Sequence, residues 1–329
     1  MQKVNQEALV QRAKELLNDG TVSCVLGFQR GEFAYDITPT LFKNEKSLTE
    51  GFVYSDFCGI NLSKYLVSKT KEIEGKILVF LKPCDTYSFN QLQTEHRLDR
   101  ERVYAIGIPC EGMADISKVK ELVGDGIYSI SSTENGLEVE TLYGEKGTVK
   151  NSDVLLEKCA SCKSKKHVAY DELMGETGEI LDSSRFDEVA RIEAMTPDER
   201  FAFWQNELSK CIRCNACRDA CPACTCEKCV FDNPASGFEN KAAANEFEEK
   251  MFHIIRAFHV AGRCTDCGEC SRACPQNIPL HLLNRKFIKD INTCYGEYQA
   301  GEEVGQRNPL VDYTLDDIEP SEVFGKGDK

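Results

Sequence analysis

The stretches KCIRCNACRDACP, at residues 210–222, and RCTDCGECSRACP, at residues 263–275, repeat one pattern of cysteines. Each has four cysteines at the spacing C-x-x-C-x-x-C-x-x-x-C, with proline directly after the fourth. In proteins with two [4Fe–4S] clusters, the first three cysteines of such a run bind one cluster and the fourth binds the other. The two runs therefore predict clusters with crossed ligands: Cys211, Cys214, Cys217 and Cys274 for cluster 1, and Cys264, Cys267, Cys270 and Cys221 for cluster 2.

Zinc is the alternative metal for these cysteines, because thiolates also suit its tetrahedral coordination. Zinc sites usually combine two separated C-x-x-C pairs, whereas each stretch here carries four cysteines in one run. The spacing therefore favours iron–sulfur clusters. Because thiolates would complete the coordination of every iron, these clusters are expected to carry electrons and to leave no position open for a substrate.

The interval between the two runs decides the architecture around them, since it is too long for the link of a minimal βαββαβ ferredoxin. One face of a predicted helix in this interval is apolar: Phe247, Met251, Ile254, Ile255 and Phe258. The opposite face is charged and includes Arg256. Another helix is predicted at residues 279–291. Residues 191–295 are therefore expected to form an all-α dicluster domain, which resembles those of fumarate reductase and heterodisulfide reductase small subunits.

The remaining parts of the chain have a different character. Residues 1–190 alternate predicted strands, at 22–28, 77–81 and 103–108, with helical segments, and hairpins are predicted at 124–149. This order predicts an α/β domain with a mixed sheet. At the other end, residues 296–329 lose periodicity and form an acidic C-terminal tail, which either lies on another surface or is disordered.

The composition limits the classes of function. Acidic residues number 54 against 40 basic ones, and the net charge of −14 argues against a nucleic-acid partner. No run of 18 apolar residues occurs, so no membrane span is expected. The N-terminus lacks the pattern of an export signal, which predicts a cytoplasmic protein. In that compartment the 18 cysteines would stay reduced, which indicates metal binding and suits an anaerobic cell.

Three further cysteines follow the first run directly: Cys224, Cys226 and Cys229. They are one ligand short of a metal site, and Cys294 is a candidate to complete it. Either an iron–sulfur centre or zinc would suit such a set. The alternative is that these thiols only pack in the core. The sequence therefore gives a candidate further site with no assigned metal.

Four more cysteines occur in the α/β half. Cys84 and Cys110 each follow a proline directly after a predicted parallel strand, and Cys159 and Cys162 form a C-x-x-C pair. Parallel strands that end in this way bring both thiols to the carboxyl edge of the sheet, where ligands tend to bind. The residues by themselves leave a third metal site and scattered buried cysteines equally open.

The sequence around these cysteines resembles a known family. KPCD at 82–85, IPCEGM at 108–113, KCASC at 158–162 and YDEL at 170–173 are similar to the β subunits of coenzyme F420-dependent hydrogenases and formate dehydrogenases. The cysteine-rich segment from 211 to 229 resembles the formate dehydrogenase branch, as do GRCTDCG at 262–268 and IPL at 278–280. The resemblance covers nearly the whole chain.

This resemblance implies a flavin, FAD, in the first domain, beside a third [4Fe–4S] cluster held by Cys84, Cys110, Cys159 and Cys162. Asn61, Lys82 and Asp85 are the candidate flavin-binding residues. One stretch departs from the family pattern, because residues 27–33 are poor in glycine where hydrogenase members have a Gly-Gly-rich flavin loop. The chain also has neither a G-x-G-x-x-G motif nor a P-loop, so the flavin rests on the resemblance alone.

The expected function is therefore that of an oxidoreductase subunit, the flavo-iron–sulfur β subunit of a larger redox complex. A flavin would exchange electron pairs and clusters would relay single electrons. The expected partners are the catalytic subunit of a formate dehydrogenase or hydrogenase, or heterodisulfide-reductase-like subunits. Coenzyme F420, NAD(P) and ferredoxin all remain open as the carrier. The alternatives are a flavin-free electron-wire subunit and a stand-alone iron–sulfur reductase.

Overall fold

The computed structural model describes residues 4–134, 136–181, 184–233 and 246–312, without the side chains of residues 246–249. The chain divides into two compact units. The first consists of residues 1–89 and 95–182, and the second consists of residues 90–94 and 183–329. The sequence placed this boundary between residues 190 and 191, a few residues later in the chain.

The predicted order of an α/β region followed by a helical region is confirmed. The strands are β1 Cys24–Arg30, β2 Ile37–Phe42, β3 Ile77–Leu81, β4 Val103–Gly107, β5 Ile127–Ser132, β6 Gly136–Thr141, β7 Lys146–Lys150 and β8 Glu172–Leu173. The helices are α1 Gln6–Asn18, α2 Glu45–Gly51, α3 Ser63–Glu72, α4 Pro83–Thr94, α5 Ile116–Val123, α6 Glu157–Ala160, α7 Asp187–Glu193, α8 Pro197–Ser209, α9 Ala216–Asp219, α10 Glu246–Val260, α11 Glu269–Arg272 and α12 Leu280–Tyr295. Short 3₁₀ turns lie at Arg100–Arg102, Asn151–Val154 and Val230–Asp232. None of the helices in the described ranges has the length and apolar character needed to cross a bilayer.

A five-stranded mixed sheet forms the centre of the first unit, in the order β2-β1-β3-β4-β8. β1 and β2 pair antiparallel, whereas β1, β3, β4 and β8 run parallel. All residues of β3 are buried, as expected of a central parallel strand with both faces covered. The predicted mixed sheet is confirmed, although the sequence did not indicate the edge strands β2 and β8.

The carboxyl ends of β3 and β4 lie side by side. Leu81 is in register with Gly107, and the N–H of Ile108 donates to the carbonyl of Leu81 at 2.9 Å. The Pro-Cys segments that follow these strands, at residues 83–84 and 109–110, therefore leave the sheet at the same edge. The first of them begins α4 without an intervening loop.

The predicted hairpins form a separate sheet in the first unit. β5, β6 and β7 pair antiparallel in chain order. Their inner faces share a small core with residues of α5 and its flanking segments: Ala114, Val119, Ile127, Leu137, Val139, Val149 and Val154. The segment between β4 and the C-x-x-C pair therefore has a separate hydrophobic core.

The helical part of the second unit includes a capped helix, α8. The Thr196 hydroxyl accepts a hydrogen bond from the Glu199 N–H at 3.3 Å, and the Glu199 carboxylate accepts one from the Thr196 N–H at 2.9 Å. Pro197 occupies the first turn, where its missing N–H costs nothing. This reciprocal cap explains why the helix begins at Pro197.

The central helix, α10, packs against α8 and α12. The prediction of its two faces was wrong. Phe258, assigned to the apolar face, is 61% exposed, whereas Arg256, assigned to the charged face, is only 4% exposed. The buried face instead combines Arg256 with Phe252, Ala257 and Val260. Charge alone suggested solvent for Arg256, but its neighbours in the fold are cysteines.

The first part of the predicted tail packs against the helical unit. The Tyr298 hydroxyl donates to the carbonyl of Gly262 at 2.8 Å, and Asn308 Nδ2 donates to the carbonyl of Ala261 at 3.3 Å. Both contacts hold the turn that leads into the second cysteine run. The rest of the predicted acidic tail, from residue 313, lies outside the described residues.

Candidate metal centres

The two cysteine runs follow the same backbone path. The residue two places after the first cysteine has a positive φ in each run, 54° at Arg213 and 56° at Asp266. The residue two places further on also has a positive φ, 62° at Asn215 and 66° at Gly268. A one-turn helix follows, α9 in the first run and α11 in the second. Such backbone turns direct N–H groups inward and form concavities that suit anions.

The fourth cysteine of the second run lies near the first run. The pKa of the Cys217 thiol is raised to about 12, chiefly by burial and further by the thiols of Cys270, Cys211 and Cys274. The effect of Cys211 and Cys274 on the same thiol means that the structure brings together three of the four residues predicted for cluster 1.

The fourth cysteine of the first run lies near the second run in the same way. Burial raises the pKa of the Cys264 thiol well above its ordinary value, and Asp266, Cys267 and Cys221 raise it further. Burial also raises the pKa of Cys270, and Cys221 adds to this effect. Cys221 therefore has neighbours among the residues predicted for cluster 2.

The exposure of the eight thiols differs between the two sets. Cys214, of the cluster 1 set, is exposed. The buried thiols are Cys217, Cys221, Cys267 and Cys270. In the described part of the chain, no three histidine, cysteine or carboxylate side chains lie close enough together to hold one metal ion. The thiols of the two runs are neighbours, and their assignment as the ligands of clusters 1 and 2 stays a prediction.

A buried arginine that the sequence analysis did not single out lies among these thiols. Arg256 Nη2 donates to the carbonyl of Cys217 at 2.9 Å. Burial, the largest effect, lowers the pKa of Arg256, but the thiols of Cys221, Cys270 and Cys224 raise it and the net direction is upward. The only signal in the sequence was a charged residue on the helix between two metal-binding motifs.

The three cysteines after the first run lie near the end of α10. Arg263 joins the two segments, because its Nη1 donates to the carbonyl of His259 and its Nη2 to the carbonyl of Ala223, each at 3.0 Å. The thiols differ in exposure, with Cys226 exposed and Cys224 and Cys229 half-buried. Arg263 therefore joins the end of α10 to the segment that the sequence proposed as a further site.

Cys294, the residue suggested to complete that site, lies in the last turn of α12. Burial raises the pKa of its thiol, and the charged groups that act on it are Asp290 and Lys286. These neighbours belong to the same helix. The structure therefore gives no support to Cys294 as the missing ligand.

The four cysteines of the first unit are linked as a series of neighbours. Burial raises the pKa of Cys84 well above its ordinary value, with Cys110 among the charges that add to the effect. The pKa of Cys110 is raised to about 11, first by burial and then by Cys159. Cys159 in turn has Cys162 as a neighbour that raises its pKa. The four thiols are therefore successive neighbours, and their assignment to cluster 3 stays a prediction.

The three candidate flavin residues lie in the interior of the first unit. Lys82 Nζ is 2.8 Å from Asp85 Oδ2 and donates to the carbonyl of Ile60 at 2.9 Å. Asn61 Nδ2 donates to Ser88 Oγ at 2.9 Å. All three side chains are buried and bonded to protein atoms, which fits a role in supporting the sheet edge better than a direct flavin contact. Their assignment to flavin stays a prediction.

Comparison with known proteins adds to this geometry. The family described as the 4Fe–4S dicluster domain matches residues 207–278, which contain both cysteine runs. The F420-dependent formate dehydrogenase subunit beta of Methanocaldococcus jannaschii is 25% identical, over 84% of this chain and 87% of that protein. The chain is therefore similar to these β subunits over most of its length. The similarity indicates an oxidoreductase subunit with iron–sulfur electron transfer as its general role.

Two further similarities are weaker. The F420-dependent formate dehydrogenase 1 subunit beta of Methanococcus maripaludis is 23% identical, over 66% of this chain and 72% of that protein. The structure of the F420-reducing [NiFe] hydrogenase complex from Methanosarcina barkeri contains a chain with 13% identity and a TM-score of 0.39, covering 62% of this chain and 84% of that one. The resemblance noted in the sequence is confirmed.

Proposed function

We propose that this protein is a β subunit that relays electrons within a formate dehydrogenase- or hydrogenase-type complex, between a flavin and [4Fe–4S] clusters. The observation that carries this proposal is the meeting of the two cysteine runs, in which the fourth thiol of each is a neighbour of the other run. The names of two relatives, both β subunits of F420-dependent formate dehydrogenases, support the type of complex.

Eight thiols of the helical unit fit two clusters. Cluster 1 would be held by the thiols of Cys211, Cys214, Cys217 and Cys274, and cluster 2 by those of Cys264, Cys267, Cys270 and Cys221. When bound, each cluster accepts and releases one electron at a time. The buried thiols of both sets would keep water away from the clusters. The exposed Cys214 would bring cluster 1 to the protein surface, where a partner can exchange electrons with it.

Cations of the first unit favour a third cluster at Cys84, Cys110, Cys159 and Cys162. Burial raises the thiol pKa values of Cys84, Cys110 and Cys159 overall, and the ammonium groups of Lys158 and Lys165 oppose this effect. These ammonium groups favour the thiolate form that binds iron. We place FAD in the same unit on the ground of the resemblance to the β subunits, since the polar atoms of Asn61, Lys82 and Asp85 are already bonded within the protein.

The proposed partners are the catalytic subunit of a formate dehydrogenase or hydrogenase, or heterodisulfide-reductase-like subunits. The proposed carrier is coenzyme F420, as in the names of the relatives, with NAD(P) or ferredoxin as the other candidates. A cytoplasmic location in an anaerobic cell belongs to the same proposal, because oxygen-sensitive clusters need reducing conditions.

Anaerobic purification followed by analysis of iron, acid-labile sulfide and flavin tests the proposal. About eight to twelve irons per chain are expected from two or three [4Fe–4S] clusters, with one FAD released on denaturation. Iron and sulfide without flavin would favour the electron-wire alternative. Zinc without sulfide would refute the cluster assignment. Reduction of a small substrate by the isolated chain with an artificial donor would favour the stand-alone reductase.

The segment after the first run is proposed as a further metal site, formed by Cys224, Cys226 and Cys229. The fourth ligand is unassigned, and three thiolates suit zinc. Cys226→Ser should remove one equivalent of metal and leave acid-labile sulfide unchanged, whereas Cys294→Ser should change neither. Equal metal content in both variants would contradict this site.

A further inference from the structure

Arg256 is a buried cation, and the groups that favour its positive charge are the thiols of cysteines. Its side chain is 4% exposed, although a guanidinium group loses several kcal/mol of hydration when it is buried without a counter-charge. Natural proteins keep such a group only where anions surround it. The identity of these anions therefore decides what the residue does.

The groups next to Arg256 belong to both cysteine runs. The four neighbours that most favour its charged form are the thiols of Cys221, Cys270, Cys224 and Cys217. Cys217 belongs to the cluster 1 set, and Cys221 and Cys270 belong to the cluster 2 set. One guanidinium group thus lies within electrostatic reach of both proposed clusters.

One hydrogen-bond donor of Arg256 is buried without an acceptor in the described part of the chain. Nη2 donates to the carbonyl of Cys217 at 2.9 Å. Nε is buried and has no acceptor among the described residues. A buried N–H group without a partner is costly, and the sulfur atoms of a cluster accept such hydrogen bonds. The Arg256 side chain thus keeps a buried donor, Nε, that a sulfur-rich anion nearby would satisfy.

We propose that Arg256 is a positioning residue that sets the reduction potentials of clusters 1 and 2 together. This inference rests on the proposed function. Each cluster gains one negative charge when it accepts an electron. The fixed positive charge of Arg256 stabilises that reduced form, and the low dielectric of the interior strengthens the effect. Because both clusters lie near the same cation, Arg256 raises both reduction potentials.

The test is a redox titration of the full chain with its clusters, followed by EPR of the reduced clusters. Arg256→Gln removes the charge. At a fixed potential, we expect the ratio of reduced to oxidised cluster to fall at least tenfold for both clusters, and a tenfold fall is 59 mV for a one-electron couple. Arg256→Lys keeps the charge and should stay within about threefold of the wild type.

Arg191→Gln is the matched control, because it also removes one positive charge from the second unit. Arg191 forms an exposed ion pair with Glu188. The potentials of this variant should equal those of the wild type. Unchanged potentials in Arg256→Gln with full iron would overturn the inference. So would a lysine variant that loses its iron, or one whose potentials fall as far as in the glutamine variant, because charge would then not explain the role. Wild-type protein without iron and sulfide would instead refute the proposed function.

Discussion

Replacing Asp85 with asparagine should destabilise the first unit strongly. Lys82 Nζ and Asp85 Oδ2 are 2.8 Å apart, and the two side chains are 2% and 0% exposed. Asparagine would leave the Lys82 ammonium buried without its counter-charge. Removing one partner of a buried ion pair costs about 3–5 kcal/mol. For a unit of this size, each kcal/mol lowers the Tm by about 2–4 °C, so the first unit should melt about 6–20 °C earlier.

Two probes separate this effect from changes in the second unit. The only tryptophan of the chain, Trp204, lies in α8, so its fluorescence reports the unfolding of the second unit. Hydrogen exchange at β3 reports the unfolding of the first unit. Asp85→Asn should speed exchange at β3 and leave the Trp204 transition unchanged. A double variant with Lys82→Met and Asp85→Leu should regain much of the stability, because no charge stays buried. Glu140→Gln, at an exposed pair with Lys146, is the control and should have little effect. A Tm for Asp85→Asn within about 1 °C of the wild type would refute the reasoning.

Three other predictions concern the second unit. Cys217→Ser should lower iron content and remove the EPR signal of at least one reduced cluster; unchanged iron and EPR would contradict the ligand assignment. Gly262→Ala should destabilise the unit by about 1–2 kcal/mol or more, since φ is +68° and the new Cβ would lie 1.9 Å from Asn308 Oδ1, and urea unfolding followed by tryptophan fluorescence measures this. Burial and then Arg285 lower the pKa of His281 to about 4. The unfolded chain therefore binds a proton below pH 6.5 that the folded chain excludes, and stability should fall by about 2 kcal/mol between pH 7 and pH 5. His281→Gln should abolish this part of the acid sensitivity, and an identical urea midpoint at both pH values in the wild type would show the prediction to be wrong.

Several elements could be predicted because their causes lie within a few residues of each other. Thr196, Pro197 and Glu199 form the start of α8 through contacts inside one turn. The alternating residues of 124–149 pair as neighbouring antiparallel strands. β2 and β8 were missed for the opposite reason, since an edge strand, and above all the two-residue β8, depends on pairing with a strand distant in sequence.

The faces of α10 were not predictable from hydrophobicity. A pattern that assigns charged residues to solvent places Arg256 outside, and it places Phe258 inside. The observed burial follows from the thiols that surround Arg256, and these come from segments on both sides of the helix in sequence. The predicted flavin residues illustrate the same limit, because Lys82 and Asp85 neutralise each other in the interior.

The two-part order of the chain and the crossed sets, with Cys274 beside Cys217 and Cys221 beside Cys264, follow from the spacing of the cysteines and from patterns of residues close together in the chain. The tertiary structure agrees with the crossed sets as far as neighbouring thiols show them. The position of Arg256 among these thiols, in contrast, depends on the folded structure. Such contacts join distant segments, and their energies come from burial and from charges in a low dielectric, which no local pattern of residues records.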